Sequence, residues 1–194
     1  MLDTRGRRNV DFIIDFIATI FIKLKFTANN VTVFALIVGL LSSVLIYFQY
    51  YILAVILLWI SGALDAVDGA VARKTKHSSL FGTLMDITFD RIVEIGIIFA
   101  LGLKFTDSLL SLLLLAFSII LSMTIFLTVG ALSQNDGIKT FRYQAGLVER
   151  TEAFILFSVM ILFTSHLTVI AFVFAGLIFI TAMQRFYEAY KLLS

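Results

Sequence analysis

The sequence contains no cysteine and no proline. Without cysteine there is no disulfide framework and no thiolate to act as nucleophile or ligand, and the compartment's redox state leaves no mark on the chain. Without proline, a sharp helix kink needs another cause. Charge is also scarce. Charged residues make up 14% of the 194 positions, and a formal net charge of +2 is too small to point to nucleic acid. The two histidines, His77 and His166, have no metal-ligand partners at useful spacing and are expected in loops. What fills the chain is apolar: 60% of residues are hydrophobic and the mean hydropathy is +1.03. Such values lie outside the range of soluble domains.

A bilayer core needs roughly twenty apolar residues per helix. Six stretches qualify as expected spans: Val31 to Phe48, Tyr50 to Arg73, Leu80 to Leu103, Leu109 to Leu132, Leu147 to Thr164, and Leu167 to Tyr187. Before them, Val10, Ile13, Ile14, Ile17, Ile20, Phe21 and Leu24 keep i,i+3,i+4 spacing, with Asp11, Asp15 and Thr19 on another side. This pattern predicts an amphipathic helix over 9–26, lying in the membrane interface or packed on the bundle. Residues 1–8, with Arg5, Arg7 and Arg8, read as a frayed basic end rather than a cleavable signal. The expected fold is all-α: one membrane domain over 1–194, with a six-helix transmembrane bundle over 31–187. In that arrangement fourteen of the fifteen basic residues fall on one side and only Lys104 on the other. The positive-inside rule then puts both termini and the 73–80 loop in the cytoplasm of a multi-pass protein of the cell membrane.

Against this background four carboxylates stand out: Asp65, Asp68, Asp86 and Asp90. An ionisable residue at mid-bilayer costs about 2.5–3.5 kcal/mol on insertion scales, so each is a functional candidate. On a helix Asp65, Asp68, Gly69 and Ala72 share one arc of roughly 100°, and Asp86 and Asp90 are i,i+4 neighbours. Two such faces turned together place four carboxylates in one cleft. Like charges so close need neutralising, and all-oxygen ligands suit Mg²⁺, Mn²⁺ or Ca²⁺. Two such ions would leave coordination positions for phosphate oxygens. Gly69 and Ala72 keep the face bare, and Arg73 can donate a fork of hydrogen bonds to phosphate. Alternatives from other classes are interhelical salt bridges, which four acids against one or two bases do not balance, and a cation or proton transporter. A transporter needs a path to both faces, whereas the acids stop within one half of the spans.

Asp65-x-x-Asp68-Gly69-x-x-Ala72-Arg73, followed after eight residues by Gly82-x-x-x-Asp86-x-x-x-Asp90, resembles the signature of the CDP-alcohol phosphotransferase (phosphatidyltransferase) family, with every fixed position filled. Thr27-Ala28-Asn29-Asn30-Val31-Thr32 is similar to the T-P-N-x-[VI]-T segment that opens the family's first membrane helix, with Ala28 where proline is usual. With the helix pattern, the resemblance covers nearly the whole chain. It implies transfer of a phosphatidyl group from a CDP-alcohol, most often CDP-diacylglycerol, to the hydroxyl of a small polar alcohol, with release of CMP; the alternative is a member of the family specific for inositol phosphate or glycerol phosphate. It further implies two Mg²⁺ or Mn²⁺ ions held by Asp65, Asp68, Asp86 and Asp90, with Asp90 also the general base. Gly69, Ala72, Arg73 and Gly82 would lie along the CDP and phosphate groups, and the protein would be a homodimer among membrane lipids.

Other basic residues read two ways. Lys139, Arg142 and Arg150 form either a plain cytoplasmic loop or an anion site for donor or acceptor phosphate. Gly146-Leu147-Val148-Glu149-Arg150-Thr151-Glu152 is similar to a segment of the inositol-phosphate-using branch, and Gln184-Arg185 also resembles that branch. Two departures count against a phosphorylated acceptor: Ala153 stands where a second arginine usually follows, and Val129 to Ala131 lacks a Lys-x-Arg. Glu94 continues the Asp86–Asp90 row and is expected to pair with Arg91, pack between helices or support the site.

Overall fold

The computed structural model describes the backbone of residues 2–135 and 146–193, with side chains described over 12–132 and 146–191. Lys139 and Arg142 lie outside the described residues. All regular structure among the described residues is helical: α1 Leu2–Lys23, α2 Ala28–Tyr47, α3 Tyr51–Thr75, α4 Leu80–Lys104, α5 Leu109–Asn135, α6 Arg150–Leu162 and α7 Leu167–Leu193. The basic end read as frayed is helical from Leu2. Nothing in it stops a helix, because arginine is a good helix former and one glycine costs only about 1 kcal/mol.

Among the described residues, four segments are long and apolar enough to cross a membrane: Ala28–Tyr47, Tyr51–Thr75, Thr106–Leu132 and Thr164–Lys191. The other two expected spans differ for separate reasons. α4 is long enough but carries Asp86, Asp90 and Arg91 in its first half and Glu94 just past its middle. α6 has 13 residues, starting at Arg150 rather than Leu147, and at 1.5 Å per residue it is about 20 Å long.

The chain forms two compact units. In the unit Thr4–Lys104, α2 packs on both α3 and α4. Polar side chains join the helices: Ser61 Oγ donates to the Ala35 carbonyl and Ser42 Oγ to that of Ala54, each at 2.8 Å. Small residues bring α4 close, with Gly39 facing Val93 and Gly96 facing Ser43. α1 covers this unit with Ala18, Ile14, Ile17, Phe21 and Ile22, which pack against Val31, Val67 and Val71. The predicted apolar stripe of α1 therefore divides. Ile14, Ile17 and Phe21 face inward, while Ile13, Ile20 and Leu24, with Phe12 and Phe16, remain exposed. In the unit that contains Phe105–Ser194, α7 packs on α5 and α6, with Phe157 and Phe174 edge-to-face at 5.0 Å.

The missing proline has a structural counterpart. Just past the ends of α1, α2 and α3 stand Lys25, Gln49 and Lys76, three non-glycine residues with φ of 63°, 67° and 54°. Each stop is closed by the same six-to-one bond: Phe26 N to Phe21 O at 3.0 Å, Tyr50 N to Leu45 O at 2.9 Å, and His77 N to Ala72 O at 3.2 Å. These bonds satisfy carbonyls that a helix end leaves unpaired. At the start of α2, Thr27 is the N-cap and its hydroxyl accepts from Asn30 N. Ala28 thus sits at N1, the position where proline is favoured because its missing N–H costs nothing; alanine serves there as an ordinary helix former.

Candidate active site

The motif occupies the last turns of α3 and the first turns of α4. Along α3, Val67, Ala70 and Val71 face the core, while Asp65, Gly69 and Ala72 are half-buried. Asp68 lies at the boundary and is buried. At the far side, Ser79 caps α4, its hydroxyl accepting from Gly82 N at 2.9 Å. This cap fixes where α4 begins, and so the phase at which Asp86 arrives one turn beyond Gly82.

Asp65, Asp68 and Asp86 come together, each offering an oxygen within 4.8 Å of the others. Asp86 Oδ1 is buried and has no hydrogen-bond partner among the described residues. An orphaned buried carboxylate oxygen is costly unless a ligand satisfies it. Three all-oxygen donors with one such orphan fit a hard divalent cation. Asp90 is outside this trio. Four residues along a helix is a rise of about 6 Å, so the shared face that the sequence predicts still leaves Asp90 one turn further along.

A cleft opens beside the trio, lined by Thr32, Asp68, Gly69, Ala72, Gly82 and Asp86, together with Ala28, Asn29 and the loop residues His77 to Ser79. Any side chain at Gly69 would meet Arg73 Nη1, 3.3 Å from the position of an added Cβ. The guanidinium therefore folds back over Gly69. At Gly82 an added Cβ would lie 3.0 Å from Asn29 Oδ1. The bare positions are thus occupied closely by polar groups of the chain itself. Asn29, Thr32, His77 and Ser79 line the cleft but had no assigned role in the sequence reading. For Asn29 and Thr32 a signal existed, since both belong to the Thr27–Thr32 segment that resembles the family's helix entry. Glu94 pairs with Arg91, i,i+3 on α4.

The remaining candidates belong to the other unit. Arg185 Nη1 donates to Ser122 Oγ at 3.1 Å and its guanidinium stands 5.2 Å from the Phe126 ring centroid, tying α7 to α5. Arg150 opens α6 exposed, 5.9 Å from the centre of Phe154. Beside it Glu149 is buried, and Val148 N donates to Thr181 Oγ1 at 3.1 Å.

Fold and site together define a helical membrane protein whose carboxylate cleft is suited to a divalent cation. Comparison with known proteins narrows this class. The family model described as CDP-alcohol phosphatidyltransferase matches residues 25–184. The chain is 33% identical over 171 residues to the archaetidylinositol phosphate synthase of Pyrococcus horikoshii, covering 87% of this chain and 86% of that one. Its fold is similar to that of the Mycobacterium tuberculosis phosphatidylinositol phosphate synthase with CDP-DAG bound. The TM-score is 0.73 at 21% identity, over 92% of this chain and 94% of that chain. The same enzyme in complex with manganese and citrate gives a TM-score of 0.73 at 21% identity, over 91% and 88%. The chain belongs to the CDP-alcohol phosphatidyltransferase family and is a membrane-bound transferase of phospholipid biosynthesis.

Proposed function

We propose that the protein transfers a lipid-phosphoryl group from a CDP-linked lipid, CDP-diacylglycerol or its counterpart, to the hydroxyl of a small polar alcohol. The bond between the lipid phosphate's phosphorus and the oxygen bridging to CMP breaks. A bond from the alcohol oxygen forms, and CMP leaves. The observation that carries this reading is the trio Asp65, Asp68 and Asp86, drawn from two helices within 4.8 Å and opening on a cleft bared by glycine. Bound Mg²⁺ or Mn²⁺, two ions in this reading, would neutralise the carboxylates and the charge gained by phosphoryl oxygens. The trio and Asp90 would hold them. Asp90, one turn along α4, accepts the proton of the acceptor hydroxyl. Arg73 donates to phosphate, and Gly69, Ala72 and Gly82 let the CDP end approach the backbone.

A second reading specifies the acceptor as an inositol phosphate. Its support is the Gly146–Glu152 segment and the name of the Pyrococcus relative; Ala153 and the Val129–Ala131 stretch count against it. Arg150, Arg185, Lys139 and Arg142 are the candidate phosphate ligands. Incubating pure protein with labelled CDP-diacylglycerol and a panel of free and phosphorylated polyols decides between them. CMP release with free alcohols alone supports the general reading, and release only with inositol phosphate the second. No release with any acceptor would overturn both.

The same proposal takes residues 1–194 as one catalytic membrane domain, supported by a family match that runs through both units. Within it α4 and α6 complete six spans. α1 lies in the interface, its outward Phe12, Ile13, Phe16 and Ile20 in lipid. The cleft and both termini face the cytoplasm, supported by the one-sided basic residues, and the protein works as a homodimer, the usual state in this family.

A further inference from the structure

Thr32 sits in the first turns of α2 and Asp68 on α3, with only 4% and 6% of their surfaces exposed. Thr32 Oγ1 lies 2.6 Å from Asp68 Oδ2 and 3.0 Å from the Ala28 carbonyl. A hydroxyl has a single proton to give. The carboxylate contact falls in the range of a charge-assisted O–H···O⁻ bond, roughly twice as strong as a neutral one. The carbonyl contact has the length of an ordinary neutral bond. The proton therefore goes to Asp68. α2 is itself fixed at this point by the Thr27 cap, four residues before Val31, which is fully buried against the α1 and α3 core.

We infer that Thr32 is a positioning residue for cation binding: its hydroxyl locks the Asp68 carboxylate in the orientation that brings it to Asp65 and Asp86. The inference rests on the proposed cation site. It assigns a third helix to that site, since α3 and α4 supply the oxygens and α2 sets the angle of one of them. The energetic reasoning is that of groups which orient metal ligands from behind. A carboxylate that loses an orienting bond has more freedom to give up when the ion arrives, and loss of such a partner typically costs 10–100-fold in metal affinity.

The experiment is Mn²⁺ binding followed by electron paramagnetic resonance on detergent-purified full-length protein. Wild type is compared with Thr32→Val, Thr32→Ala and Thr32→Ser. Valine keeps the shape and loses the hydroxyl, alanine loses both, and serine keeps the hydroxyl. We expect Kd for Mn²⁺ to rise about 10–100-fold in both Thr32→Val and Thr32→Ala, and to stay within about threefold in Thr32→Ser. A packing role would instead separate alanine from valine and leave valine near wild type, which would overturn the inference. If Thr32→Val does not fold, the alanine and serine variants decide in the same way. Wild-type protein that binds no Mn²⁺ would overturn the cation site and this inference with it. Wild-type binding that valine and alanine leave unchanged would overturn this inference alone.

Discussion

Lys74 Nζ donates to the carbonyl oxygen of Asp15 at 2.7 Å across 59 residues of sequence, and lies 3.1 Å from Thr19 Oγ1. The Asp15 carboxylate stands at 3.6 Å. The residue that follows Arg73 is thereby anchored to α1. The same stretch of α1 places Ala18 against the core cluster that includes Val67 and Val71, the residues flanking Asp68 and Ala72. α1 thus buttresses the back of the helix turn whose front carries the motif.

This anchoring can be tested. The ion pair is partly exposed and worth about 0–1 kcal/mol, so the larger share comes from the hydrogen bonds of a charged donor, roughly 1.5–3 kcal/mol each at most. Lys74→Met should loosen α1 by about 1–2 kcal/mol after allowance for solvent. Amide exchange over residues 12–24 should accelerate about 5- to 30-fold, with α5 and α7 unaffected. Unchanged exchange over 12–24 would show that burial of Ala18 and its neighbours holds α1 unaided.

Metal removal tests the carboxylate trio. Because Asp65, Asp68 and Asp86 converge with an orphaned oxygen on Asp86, a pyrophosphate-bearing donor cannot approach them without cations between. CMP release should fall to background in excess chelator and return on addition of Mg²⁺ or Mn²⁺. Full release in chelator would remove the cation site from the mechanism.

A third test separates Asp90 from the trio. A general base contributes about 10²–10⁴-fold to rate, while a metal ligand also decides whether ions bind at all. Asp68→Ala should weaken cation and donor binding together. Asp90→Asn should bind CDP-diacylglycerol with metal present, yet lose at least about a hundredfold in turnover. Binding and single-turnover chemistry are measured on the same preparation. Collapsed donor affinity with an unchanged chemical step would make Asp90 a ligand only.

Much of this was legible in the sequence, because hydropathy and helical phase act locally. The acids and their neighbours Gly69, Ala72 and Gly82 stand on the elements and in the order expected. What was not legible depends on how helices cross. Periodicity showed that α1 is amphipathic, but not which of its two apolar sides meets the core, since Ile13 and Ile14 are equally apolar. It aligned Asp90 with Asp86 along α4, but could not say that Asp86 is the one that joins Asp65 and Asp68. Thr32 gave no sign of its partner, because a threonine in an apolar helix more often bonds its own backbone. The charge of α4 and the shortness of α6 separate them from the four clear spans, for in both the polar requirements of a site or loop compete with the length a bilayer needs.

Helix crossing also yields a stability prediction. A methyl group at Gly39 would meet both Cγ atoms of Val93 and, at 2.9 Å, Ser61 Oγ. Neither neighbour gives way easily: Val93 is β-branched and stiff at χ1, and Ser61 is bonded to Ala35 O. Gly39→Ala should cost about 1–3 kcal/mol by overpacking, read as a lower unfolding midpoint in detergent. Gly39→Ala combined with Val93→Ala should recover part of that loss. A double variant less stable than the sum of the two would mean that the α2–α4 contact is not where the strain falls.

The last prediction concerns orientation. If α4 spans the bilayer, its two ends face opposite compartments, and the six-span reading places Lys76, in the loop before it, on the cytoplasmic side. Asp107, just after it, falls on the other. Both positions suit labelling: Lys76 is exposed at the end of α3 and Asp107 lies in the short 3₁₀ turn that follows Lys104. The chain has no cysteine of its own, so Lys76→Cys and Asp107→Cys introduce single reactive thiols without background. An impermeant maleimide applied to sealed right-side-out vesicles should label position 107 and spare position 76, and inverted vesicles should reverse the pattern. In the six-span reading the charge asymmetry is steep, with Lys104 alone against fourteen basic residues on the opposite side. Labelling of both positions from one face would mean that α4 does not cross, and would return the span count to the four helices whose length and composition already suffice.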